Sequence, residues 1–227
     1  MIKHGTLIAA FLTKSDIFLA SDGRVICNET GKVDDNWSKV HKINNYVGML
    51  TAGAYLPHLK DDIIKNCKER SLTFVDHVVK ITSLVLKEIW RLNVDRFKRD
   101  GKSDEIRIFI FLAGFDQNRV SRLFYLDNLS TPIFNIQERT LFQTSNDLEI
   151  AAMSTGSGKV ENPSEILFAK INNRLIFNDS VNNNLPGILY SSFNDTKDQL
   201  SKTNQRIGGH TFFSKINISS GYHDISD

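Results

Sequence analysis

The 227-residue chain reads as a single α/β domain in which antiparallel strand pairs alternate, in blocks, with pairs of helices. Three observations predict this. Apolar runs of strand length joined by short polar turns fill the first 55 residues and return over 105–126. Two stretches of helical periodicity follow the first block, and two more follow the second.

The elements take their order from these signals. Thr6–Thr13 and Ile17–Arg24 are apolar strands around the turn Lys14-Ser15-Asp16, so Asp22 falls where the second strand runs out. A polar loop with a hairpin signal at Asn28–Gly31 leads into Ser38–Ile43 and the apolar strand Tyr46–Tyr55. Leu59, Ile63, Ile64 and Cys67 then recur at helical spacing, with Pro57 tolerable in the first turn. A longer helix opens near Thr73, which can cap with Asp76, and carries Phe74, Val78, Ile81, Val85, Ile89 and Leu92 as one stripe. The basic cluster at 98–102 breaks it.

Glu105–Ala113 and Val120–Leu126 form a hairpin around Gly114–Asn118, and 131–144, with Pro132, supplies short strands or a loop. Met153-Ser154-Thr155-Gly156-Ser157-Gly158-Lys159 suggests a phosphate loop, but Met153 and Val160 stand where such a loop needs Gly and Ser or Thr. Helices follow from Pro163 and from about Leu189, separated by an Asn-rich loop at 178–184, and His210–Ile216 is the last strand.

Composition narrows the function classes. A hydrophobic fraction of 41% supports a large core, and a net charge of +2 with both signs interspersed gives no case for nucleic acid or an anionic membrane. Cys27 and Cys67 make no disulfide framework, which points to a reducing compartment. With no h-region ahead of Thr6 and no apolar run of spanning length, a cytoplasmic location is expected.

Chemistry concentrates at the Gly5–Thr6 bond. If it is cut, Thr6 carries a hydroxyl nucleophile and a free α-amine on one residue, and such an amine titrates at about 7.7–8.0, so it can serve as general base. Glycine leaves the preceding carbonyl sterically open. The alternative is that Thr6 only opens a strand.

The order of residues decides between these readings. Gly5-Thr6, an Asp closing the second strand with Arg24 two residues on, Lys39-Val40-His41-Lys42-Ile43, and a strand ending in Ala52-Gly53-Ala54 together resemble the proteasome β-subunit family and its bacterial relative HslV, amino-terminal-nucleophile hydrolases. The resemblance implies a four-layer αββα sandwich of two mainly antiparallel sheets with a helix pair on each outer face. It implies removal of residues 1–5 by self-cleavage and a single domain over 6–227. Thr6 would be nucleophile and base, with Asp22 and Lys39 as charged neighbours and the Gly53 N–H as oxyanion donor. Ser157 would be a supporting hydroxyl, and Asp198 and Ser201 would brace the terminal amine. The same resemblance places Val25, Trp37, Thr51 and Tyr55 around the substrate side chain. It further implies a peptide or unfolded-protein substrate, a homo-oligomeric ring and a possible ATPase partner, with no metal or nucleotide needed. Taken alone, Asp22 before Gly23 also fits an Asx turn and Lys39 a solvated lysine. A non-catalytic ring subunit and a hydrolase of small amides are the rival functions.

Overall fold

The computed structural model describes residues 2–3, 6–27, 30–54, 56, 58–99, 106–139, 141–144, 147–155, 162–176 and 184–225. Among them lie three sheets and four helices. The six-stranded sheet runs β11 (Phe142–Gln143), β12 (Glu149–Thr155), β2 (Thr6–Leu12), β3 (Asp16–Asp22), β13 (Thr211–Asn217) and β14 (Gly221–Asp224), every neighbouring pair antiparallel. The five-stranded sheet runs β10 (Gln137–Glu138), β9 (Ser121–Asp127), β8 (Ile108–Phe115), β7 (Val47–Gly53) and β6 (Val40–Lys42). A small third sheet pairs β1 (Ile2–Lys3) with β4 (Val25–Cys27) and β4 with β5 (Val33–Asp34).

Burial on both faces explains why the central strands read as almost continuous apolar runs. In β2, Leu7, Ala9 and Phe11 pack toward one helix layer, while Ile8, Ala10 and Leu12 pack toward the other sheet. The first of these layers is closed by α3 (Pro163–Ile176) and α4 (Leu185–Ser201) through Leu167, Ile171, Leu189 and Phe193. In β7, Val47 and Met49 face α1 (Leu59–Glu69) and α2 (Val75–Arg99), whereas Leu50 and Ala52 face inward. The order is therefore helix pair, sheet, sheet, helix pair, the expected αββα sandwich.

Several elements depart from the sequence reading. The strand β12 and the terminal β14 are additional, and α4 starts four residues earlier than Leu189, with Pro186 in its first turn. The stretch 131–144 contains two strands of two residues each. In α2 Val78 and Ile81 are buried and Val85 and Ile89 half-buried against the same core, as expected, but Val75, Val79, Thr82, Ser83 and Leu86 are buried too, and Leu92 is 65% exposed. The reason is length: 25 residues span about 37 Å, whereas the eight residues of β8 span only about 26 Å, so the helix overhangs its sheet. No helix among the described residues is long and apolar enough to cross a membrane.

Candidate active site

The site forms where β2 begins and β3 ends. Thr6 is in phase with Ile8, Ala10 and Leu12, which places its side chain on the inter-sheet side of β2. It is fully buried, and its Oγ1 has no hydrogen-bond partner among the described atoms. Ser21 Oγ and Ser154 Oγ are also buried without a described partner, so what sets Thr6 apart is its place next to Leu7, whose N–H shares its Asp22 acceptor oxygen with Lys39 Nζ.

Asp22 closes the site from the neighbouring strand. Its Oδ1 accepts the Leu7 N–H at 2.8 Å and the Lys39 Nζ at 2.7 Å, and its Oδ2 accepts the Gly208 N–H at 3.1 Å. This is no Asx turn: every partner comes from another element. Lys39 is 2% exposed, and its second bond goes to the Arg24 carbonyl at 2.9 Å. The ammonium is thus fixed against the strand that carries Thr6. Burial lowers the Lys39 pKa while the Asp22 charge resists the shift. Burial likewise raises the Asp22 carboxyl, against the pull of Lys39 and the two backbone donors. Both shifts make proton exchange with a neighbouring group less expensive than it is for free side chains.

Gly53 ends β7 opposite Ile108, with φ of 89°. A Cβ there would collide with the Arg107 carbonyl oxygen and lie 2.8 Å from its carbon, so only glycine fits. Beside it a cavity of about 280 Å³ opens between β6, β7, β8 and α1. Trp37, Lys39, Thr51 and Gly53 line it, which places two of the expected pocket residues together. Val25 is buried in β4, and Tyr55 lies outside the described residues.

The remaining expectations divide. Ser157 and the Gly5–Thr6 bond lie outside the described residues. Asp198 is exposed on α4, and Ser201 Oγ donates to the Asp198 carbonyl at 2.9 Å. Among the described residues neither joins Thr6, Asp22 or Lys39 by a hydrogen bond or ion pair. Asn204 and Gly208 reach that neighbourhood instead. Asn204 is buried and donates through Nδ2 to the carbonyl of Thr155, the residue opposite Thr6 in the β12–β2 pairing, at 3.2 Å. Lys197 secures the same loop by donating to the Gly209 carbonyl and Thr211 Oγ1, each at 2.8 Å. The signal available in the sequence was the Gly208-Gly209 pair ahead of an apolar strand.

His41, from the Lys39–Ile43 run, also stands in the cavity wall. Burial first, and the nearby Lys60 second, lower its pKa to about 4. The unfolded imidazole, near 6.5, binds a proton that the folded one refuses, so the native state loses stability as pH falls through that window. The expected loss between pH 6.5 and 4 is roughly 2 kcal/mol, discounted for partial solvent screening, and His41→Asn removes it. Denaturant melts of both proteins across that range read the difference.

Among the described residues no group of three or more His, Cys, Asp or Glu side chains is placed to hold a metal ion. Among curated proteins, none matches the chain. The family model described as proteasome subunit matches residues 2–133, more than half of the chain and the whole segment that carries Thr6, Asp22, Lys39 and Gly53. Its match and the αββα sandwich agree, and the chain belongs to the proteasome subunit family.

Proposed function

We propose that the protein is a threonine peptidase of the proteasome type, with Thr6 as its nucleophile once residues 1–5 are removed. The observation that carries this reading is the unpartnered, fully buried Thr6 Oγ1 one residue away from an N–H that shares its acceptor oxygen with Lys39 Nζ. In maturation, Thr6 Oγ attacks the Gly5 carbonyl carbon, the C–N bond breaks, and the Thr6 nitrogen leaves as an amine with a proton. Water then hydrolyses the resulting ester, which frees the hydroxyl and leaves Gly5 as a carboxylate.

In peptide hydrolysis the same oxygen attacks the scissile carbonyl. The Thr6 amine takes the hydroxyl proton and passes it to the departing amine, and the Gly53 N–H stabilises the oxyanion. Lys39 keeps the amine neutral by charge repulsion, and Asp22 keeps Lys39 in place. As a member of a ring-forming family, the chain assembles into a homo-oligomer that encloses these sites, in a reducing, cytoplasmic setting, and draws unfolded protein from an ATPase partner.

Intact mass of the purified wild type beside Thr6→Ala tests the reading. The wild type is expected to begin at Thr6, and the variant to retain residues 1–5. A wild type that keeps those residues overturns the proposal in favour of a non-catalytic ring subunit.

A further inference from the structure

The nitrogen of Thr6 has a fixed direction. In an antiparallel ladder the N–H and C=O of one residue point to the same neighbouring strand, and successive residues alternate between the two neighbours. Leu7 turns its N–H to β3, where Asp22 Oδ1 accepts it at 2.8 Å, so Thr6 turns its N–H to β12, where it stands opposite Thr155. The Thr155 carbonyl therefore faces two donors: the Thr6 nitrogen and, from the loop after α4, Asn204 Nδ2 at 3.2 Å. The Asn204 amide is oriented in turn. It is 7% exposed, and its Oδ1 accepts the Arg206 N–H at 3.1 Å.

Among the described residues, the charged groups brought to this corner are Asp22 and Arg24 from the end of β3, Asp35 after β5, Lys39 before β6, Lys197 on α4 and Arg206 beside Asn204. Both carboxylates are bonded to cations, Asp22 to Lys39 and Asp35 to Arg24. We propose that Asn204 is a positioning residue for the Thr6 amine: it holds the Thr155 carbonyl as the acceptor that stops the amine turning about its N–Cα bond, and, being uncharged, it does so without a carboxylate that would keep the amine protonated. The inference rests on the peptidase reading, in which that amine is the base. Once freed from Gly5 the amine can rotate, and an N–H held by Thr155 keeps its lone pair in one direction from one turnover to the next. An aspartate of nearly the same size fails on both counts. Its carboxylate has no N–H for the Thr155 carbonyl, and its charge stabilises the ammonium and so withdraws the base at neutral pH.

Wild type, Asn204→Asp and Asn204→Leu, each produced behind a leader whose removal leaves Thr6 first, test this without depending on self-cleavage. The kcat/KM for a fluorogenic peptide is followed from about pH 5 to 10. Competitive acetylation of the amino terminus titrates the amine independently of turnover. Asn204→Asp is expected to move the acid limb of the rate profile and the amine titration upward together, by about one pH unit. Asn204→Leu, similar in volume, is expected to lower kcat about tenfold with the acid limb in place. An amine titration unmoved in Asn204→Asp, or a wild-type kcat in Asn204→Leu, overturns the inference while peptidase activity stands. A wild type that cleaves no peptide at any pH overturns the peptidase reading itself, and the inference falls with it.

Discussion

Replacing Lys39 by alanine is expected to remove about 3–5 kcal/mol of stability and to reduce peptide hydrolysis and self-cleavage by about 10³-fold or more. The stability loss follows from what remains. Asp22, fully buried, keeps the Leu7 and Gly208 N–H donors but loses the only cation among its described partners. An unpaired carboxylate in that position carries an uncompensated desolvation penalty. Its folded-state pKa, already raised by burial, rises further when the Lys39 charge is gone. A raised carboxyl binds a proton in the folded state that the unfolded chain releases, so stability falls as pH rises above the ordinary carboxylate range. The deficit is therefore largest at neutral pH and shrinks on acidification. Denaturant melts of wild type and variant from pH 4 to 8 check this. The double variant Lys39→Met with Asp22→Asn removes both charges and is expected to recover most of the stability and none of the activity. Recovery of both would mean that Lys39 holds the fold and does no chemistry.

The Asp22–Lys39 pair was legible through the family resemblance, carried by Asp22 at the end of a patterned strand and by the Lys39–Ile43 run that leads into β6. What braces Asp22 was not. Gly208 is 186 residues away, and only the β3–β13 pairing, with Asp22 opposite Thr211, brings its N–H to the carboxylate. A local pattern carries no information about such a closure. Asp198 and Ser201 fail for a different reason. In α4 the buried positions Leu189, Phe193, Thr196 and Leu200 follow the helical period, and Asp198 lies out of phase with them on the solvent side. A spacing of three residues matched there while the face did not. The layers themselves were readable as blocks of strands and helices, but which strand adjoins which depended on β12, a sheet neighbour of β2 whose small residues Ala151 and Ala152 gave a weak strand signal.

Gly53→Ala is the second large effect, and its cause is separable into backbone and chemistry. The residue holds φ of 89°, a region that costs a side-chain-bearing residue about 1–3 kcal/mol, and the added Cβ has no room before the Arg107 carbonyl. The Ala54 N–H also donates to that carbonyl, at 2.6 Å, so relief of the overlap must move the end of β7 away from β8. With Gly53 as the proposed oxyanion donor, a movement of even 1 Å is expected to take its N–H out of position, and losing one such donor costs about 10²–10³ in kcat. Gly31→Ala separates strain from site damage. Gly31 has φ of 68°, nothing within 4 Å of an added Cβ, and lies in the β4–β5 turn. It is expected to lose about 1 kcal/mol of stability with kcat unchanged. Equal losses of activity in the two variants would show that general backbone strain, and not the placement of the Gly53 N–H, governs turnover.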